Sequence, residues 1–298
     1  MSNIKSPLLL DGENTRLVET FKSETIISKY KELDLEVNRF FKNPNIYLYK
    51  CQKSGYRFYY PFSCIGDAVF YNDLSKNRPS YYSERWEHSK ALNYIDKSDF
   101  VLEIGSGFGA FLNRLKESNI KSVGLEINPH AVEVCTKNKL TVKNTLVENV
   151  AKANKGKYDV VCSFQVLEHI TNVHSFIKAS VDVLRKGGKL IIGVPNNNPY
   201  LFINDKYHTL NLPPHHAGLW NKQSLKSLEK IFSLKLDSIE FEPLDNTYSY
   251  FLNHQIKNNN KFSSFSLKLM NKFFPRLLRK TICKFINGRN VLAVFEKQ

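Results

Sequence analysis

Residues 100–115, Phe-Val-Leu-Glu-Ile-Gly-Ser-Gly-Phe-Gly-Ala-Phe-Leu-Asn-Arg-Leu, constrain the fold of this chain more than any other stretch. A short, mostly apolar run breaks into glycines at 105, 107 and 109. A helical period then starts at once with Phe111, Leu112 and Leu115. That order predicts a buried strand, a tight glycine turn and a helix. Glycine allows positive φ in the turn and lets a ligand approach the backbone where a Cβ would block it. Glu103 lies inside the apolar run, where a carboxylate is costly without a partner. The stretch therefore predicts a nucleotide-type cofactor site in an α/β sheet.

The dinucleotide fingerprint is G-x-G-x-x-G, with a pyrophosphate seated at the helix N-terminus. Here the third glycine arrives one residue early and an acid precedes the first. This G-x-G-x-G form resembles motif I of class I S-adenosylmethionine (SAM) methyltransferases. The resemblance implies SAM as cofactor, with Glu103 toward its cationic aminoacyl end and Gly105, Ser106, Gly107 and Gly109 forming the turn around it.

Further blocks follow in the family's order. Residues 123–126, Val-Gly-Leu-Glu, predict a second strand ending in an acid. Glu126 lies about twenty residues past the glycine turn, where a carboxylate accepts from ribose hydroxyls. Ile127 is placed to pack on the adenine face. Pro129 opens the next helix. Residues 145–150 predict a third strand and loop, in which Glu148 or a nearby amide reads the adenine amino group.

Residues 158–164 form a fourth strand, followed by Gln165-Val166-Leu167-Glu168-His169. This resembles the V-L-E-H block of small-molecule methyltransferases of the ubiquinone-biosynthesis type. It places Phe164 and Gln165 at the cofactor and His169 beside the transferring methyl. Residues 184–197, with the double glycine at 187–188 ending a helix before a strand to Pro195, resemble the family's L-x-x-G-G block. Asn196, at the end of that strand, is a candidate substrate contact. The resemblance covers residues 81–245. It implies a Rossmann-like seven-stranded sheet, mostly parallel, with an antiparallel last strand. The Asn/Asp-Pro-Pro-Tyr block that grips a flipped base in nucleic-acid adenine methyltransferases is absent. Asn198-Pro199-Tyr200 follows a different strand and reads as a loop.

Four segments are expected: an N-terminal helical and aromatic cap at 1–80, the SAM-binding core at 81–245, a basic helical insertion at 246–290 and a final core strand at 291–298. Within the cap, residues 15–30 and 31–41 predict amphipathic helices, and the aromatic stretch 44–71 predicts short strands or a hairpin around Ser54-Gly55. Cys51 and Cys64 lack a C-x-x-C pair or histidine set nearby, so no metal site is expected there. Tyr81 and Tyr82 open a helix running to Ile95. They offer hydroxyls or ring faces to substrate and the methionine end of the cofactor, or pack in the core.

The loop at 207–220 contains Pro213-Pro214-His215-His216 and Trp220. Its prolines fix the backbone, and strand ends of open α/β sheets face the cofactor crevice, so this loop is expected to cover the acceptor. Histidine takes a hydroxyl proton near neutral pH. His215 or His216 is therefore the expected general base, the other an orienter, while Trp220 stacks on a substrate ring or packs in the core. The resemblance suggests O-methylation of a small molecule or glycan, such as a lipid- or nucleotide-linked sugar in polysaccharide biosynthesis.

The net charge of +15 implies an anionic partner. From residue 246 to 295 there is no Asp or Glu, and lysines and arginines interleave with phenylalanines and leucines. Residues 257–289 thus suit an anionic membrane surface, a phosphate-bearing acceptor or a solvated basic face. Nucleic acid is the disfavoured partner. Scattered, odd-numbered cysteines and no visible export signal predict a cytoplasmic protein, with peripheral membrane contact the variant.

Overall fold

The computed structural model describes residues 4–11, 15–77, 84–197, 202, 203 and 205–298. The strands are β1 (Thr15–Lys22), β2 (Asn45–Cys51), β3 (Arg57–Tyr60), β4 (Phe100–Ile104), β5 (Lys121–Leu125), β6 (Val142–Lys143), β7 (Tyr158–Phe164), β8 (Leu184–Pro195), β9 (Gly218–Leu219), β10 (Leu234–Pro243) and β11 (Asn287–Lys297). The helices are α1 (Ser23–Lys31), α2 (Ala68–Asn77), α3 (Trp86–Ala91), α4 (Ala110–Glu117), α5 (Pro129–Lys137), α6 (Val147–Ala151) and α7 (Val173–Val183), then α8 (Lys222–Lys226), α9 (Leu228–Ile231), α10 (Tyr248–Asn258), α11 (Lys261–Phe273) and α12 (Pro275–Phe285). Among the described residues no helix is long and apolar enough to cross a membrane.

The larger sheet has seven strands in the order β10-β11-β8-β7-β4-β5-β6. β4 pairs in parallel with β5 and β7, and β7 with β8, whereas β11 runs antiparallel to both neighbours. Continuous apolar runs make the central strands: Val101, Leu102, Val161, Ile191 and Val194 are fully or almost fully buried because helices cover both faces. The chain moves from β4 outward through β5 and β6, then returns to β7 on the other side. That reversal opens a crevice at the strand C-termini, where ligands bind in open α/β sheets.

The cap keeps the C-terminal half of its first expected helix as α1 and differs elsewhere. Residues 15–22 form a strand, and residues 38–40 make one turn of 3₁₀ helix. β1 carries Thr15, Val18 and Thr20 and finds a partner in β2 of the aromatic hairpin, a pairing that outweighs local helix period. The hairpin itself turns at Ser54-Gly55 as expected. β9, from the histidine loop, then pairs with β3, so the cap sheet runs β1-β2-β3-β9. Two further boundaries shift. The third core strand is β6 at 142–143, and residues 147–151 are helical; α7 ends at Val183, before the double glycine.

Candidate active site

Gly105, φ +74°, turns the chain out of β4 with no room for a side chain: a Cβ there would lie 2.3 Å from Val166 Cγ2. Its N–H and that of Ser106 both donate to the carbonyl oxygen of Leu125, tying the turn to β5. Gly109, φ +81°, caps α4, and Cys135 Sγ holds the Gly107 carbonyl at 3.3 Å. The Glu126 carboxylate is fixed at both ends, accepting from Gly107 N–H and Asn128 N–H at 2.8 Å each. Glu103 is buried, and its Oε2 has no hydrogen-bond partner; neither has Ser106 Oγ. Burial, and then the nearby Glu126, hold the Glu103 carboxyl well above the usual range.

Beside these groups lies a small cleft of about 100 Å³ whose walls include Leu125, Ile127, Leu146, Val147, Glu148 and Val166. Ile127 is 66% exposed at its edge, an apolar surface open to a flat ring. The set fits SAM. An orphaned carboxylate suits an ammonium, an oriented acid suits vicinal hydroxyls, and an apolar slot suits adenine. Gly105, Ile127 and Glu148 share the cleft wall, while Glu126 bonds the glycine turn beside it and lies near Glu103. Phe164 does not join them: its ring is buried between Phe111 and His88.

At the end of β7, Gln165 takes φ +55°, and its side-chain amide donates to Glu87 Oε1 at 2.6 Å and to Asn290 Oδ1 at 3.4 Å. Asn290 in turn donates to Glu242 Oε2 at 2.9 Å. Glu87, Glu242 and Asn290 were not singled out from the sequence because they lie 77 to 125 residues from Gln165 and belong to no local motif. Glu87 is fully buried with Oε2 unpartnered, and burial raises its carboxyl.

The three candidate histidines meet in space. The His169 ring lies 4.8 Å from that of His215 and 5.0 Å from that of His216, and the latter two stack at 4.5 Å. The cap holds this loop. Tyr59 N–H donates to Ala217 O, Gly66 N–H to Pro214 O, and Tyr71 OH to His215 O. His169 Nδ1 lies 2.7 Å from His215 O, so Nδ1 carries the proton and Nε2 the lone pair. Burial lowers His169 to about 4, and burial with the neighbouring imidazoles takes His216 well below its usual value.

Glu168, which the sequence offered only as part of a block, points into the cluster. Its Oε1 lies 3.9 Å from His169 Nε2 and 4.0 Å from His216 Nε2. It is fully buried, neither oxygen has a hydrogen-bond partner, and burial pushes it up to about 8. The three imidazoles offer ligand atoms within 4.8 Å of one another. A tetrahedral zinc ion with bonds of about 2.05 Å needs ligands about 3.3 Å apart, so the rings would have to close in to hold one.

The remaining candidates are placed differently. Asn196 is buried and spent on the backbone, its N–H donating to Arg289 O and its side-chain amide to Gly288 O. Trp220 is fully buried, 4.4 Å from the ring of Tyr56, which makes it core and not a stacking platform. Tyr81 and Tyr82, and the expected loop Asn198-Pro199-Tyr200, lie outside the described residues.

The profile of a family described as "Methyltransferase domain" matches residues 76–235. The ubiquinone biosynthesis O-methyltransferase of Nitrosospira multiformis is 29% identical over 137 residues, which cover 41% of this chain and 57% of that one. The enzyme of the same name from Vibrio parahaemolyticus is 26% identical over 179 residues, covering 53% and 76%. The chain thus spans little more than half the length of the first of these relatives. The crystal structure of a SAM-dependent methyltransferase from Archaeoglobus fulgidus superposes with a TM-score of 0.52 at 18% identity, over 76% of this chain and all of that one. The seven-stranded sheet, the acid-preceded glycine turn, the oriented Glu126 and the family match together place the chain in the class I SAM-dependent methyltransferase family.

Proposed function

We propose that the chain transfers a methyl group to a hydroxyl oxygen of a small-molecule or glycan acceptor, with His169 as general base. Bound in the cleft, SAM supplies an electrophilic methyl on a sulfonium. The protein's share is positioning and proton removal, since in-line displacement needs the nucleophile aligned and its proton taken. The observation that carries the choice is the contact between His169 Nδ1 and His215 O, which puts the proton on Nδ1 and the lone pair on Nε2. His169 also keeps 16% of its side-chain exposure, against 4% for His216. His215 and His216 then act as orienters. The hydroxyl proton passes to His169 Nε2, and the imidazolium so formed lies 3.9 Å from Glu168 Oε1. An oxygen acceptor is favoured by the relatives' names, and a sugar by the polar loop and the basic surface; polysaccharide biosynthesis is the corresponding context.

The test is methyl transfer from SAM to a panel of catechols and glycosides by wild type and His169→Ala, with S-adenosylhomocysteine affinity measured alongside. The expected result is O-methyl product, with turnover in the variant lower by about 10²- to 10⁴-fold and affinity for the cofactor product unchanged. Full turnover in His169→Ala would remove the base assignment. Methyl recovered on nitrogen or carbon would remove the acceptor class.

A further inference from the structure

We propose that the outer face of the α11–α12 hairpin is a docking surface for an anionic lipid bilayer. The hairpin is anchored from within. Leu278 is buried with Tyr248, Phe251 and Leu252, and Leu267 and Ile282 pack against that cluster. The other face is uncovered, and α11 has no buried residue. Phe262, Phe265, Leu269 and Phe273 recur at steps of three, four and four residues and so share one side of the helix. Phe274, Leu277 and Phe285 continue the apolar surface through the turn and along α12. Exposure of these residues runs from 46% to 81%. Scattered exposed apolar residues are ordinary, but a contiguous ridge of large ones marks an interaction surface.

Charge decides the occupant. Lys261, Lys268 and Lys272 form a row beside the α11 stripe, and Arg276, Lys280 and Lys284 recur every fourth residue on α12. Among the described residues none of these six has a carboxylate partner; Arg279 is the hairpin cation that does, bonding Asp245. Lys272 and Lys284 sit over the rings of Phe273 and Phe285, at 5.5 and 5.8 Å. A second copy of this chain would set unbalanced cations against cations. A polyanion such as nucleic acid would use the lysines and leave the phenylalanine ridge in water. A bilayer with acidic headgroups takes both, with apolar side chains entering the acyl boundary and lysines meeting the phosphates.

The test is co-sedimentation of the intact protein with vesicles of phosphatidylcholine containing one-third phosphatidylglycerol, and with pure phosphatidylcholine vesicles. Wild type should bind the anionic vesicles, bind the neutral ones at least about tenfold more weakly, and release as salt rises. Phe262→Ser/Phe265→Ser/Phe273→Ser and Lys268→Glu/Lys272→Glu/Lys280→Glu should each lose about tenfold or more. Both sets change exposed side chains, and unchanged S-adenosylhomocysteine affinity certifies their fold. Wild type that stays in solution with both vesicles overturns the proposal, as does binding that survives either triple variant. Sedimentation velocity closes the remaining route: a wild-type dimer made monomeric by the serine variant, without vesicle binding, assigns the ridge to self-association. The readout is binding and not turnover, so it stands apart from the methyl-transfer proposal.

Discussion

Replacing Glu168 with glutamine keeps the shape of the side chain and removes its titration. In the folded protein burial lifts this carboxyl to about 8, whereas an unfolded glutamate titrates near about 4.3. Between those values the native state holds a proton that the unfolded state has released, so Glu168 makes stability fall as pH rises. His169 has the opposite sign. Its folded value of about 4 lies below an unfolded value of about 6.5, so it makes stability rise with pH across that interval, where the two slopes largely cancel. From about pH 6.5 to 8 the Glu168 slope alone remains of the pair. At about 1.4 kcal/mol per pH unit it amounts to about 2 kcal/mol. Urea unfolding of both proteins across this range should show the stability difference moving by about 2 kcal/mol in favour of Glu168→Gln. The cost of a buried amide without partners is independent of pH and drops out of that movement. A difference that stays constant from pH 6.5 to 8 would refute the reasoning, because it would mean that the folded carboxyl titrates outside this window.

Three further outcomes follow from the geometry. Glu126→Ala removes a carboxylate held by two backbone N–H groups; if it accepts from the ribose hydroxyls, calorimetric affinity for S-adenosylhomocysteine should fall by about 10- to 100-fold. Gly105→Ala places a Cβ against Val166 Cγ2 at a positive φ and should cost about 1–3 kcal/mol in unfolding free energy; adding Val166→Ala should recover part of it by relieving the clash. Chelator treatment should leave methyl transfer unchanged, since the histidine cluster is wider than a bound zinc site; loss that added zinc restores would reassign the cluster.

The cofactor half of the site was legible because its physics is local. A glycine turn, an acid at the next strand end and an apolar neighbour each follow from short stretches of chain, and Gly105, Glu126 and Ile127 stand where spacing put them. The seven-stranded sheet was legible for the same reason, as strand and helix periods alternate from residue 100 onward. The histidine cluster was legible only as a set of residue types. That His169 meets His215 and His216 depends on β9 pairing with β3 and on Tyr59, Gly66 and Tyr71 bonding the loop, contacts that link segments more than a hundred residues apart. Trp220 and β1 were misjudged or left open on similar grounds. Burial against Tyr56 and pairing with β2 are tertiary facts, invisible to composition or period.

The distribution of acids within this basic chain bears on what the site is built to hold. The net charge is +15, yet Glu87, Glu103, Glu126 and Glu168 are all buried in or beside the crevice. Glu87 and Glu103 each leave one oxygen without a hydrogen-bond partner, and Glu168 leaves both. Isolated carboxylates in such surroundings shift toward their neutral forms, and Glu87, Glu103 and Glu168 do so here. A scaffold that only packed its core would gain by replacing them with apolar groups of the same shape. An orphaned Glu103 suits a cofactor that is itself cationic, as SAM carries both an ammonium and a sulfonium, while Glu168 stands 3.9 Å from His169 Nε2. The positive surface and the acidic interior are then two separate adaptations. By the proposals above, the buried acids belong to the methyl-transfer site, whereas the uncovered cations lie far along the chain on α11 and α12, on the face proposed to dock on an anionic bilayer.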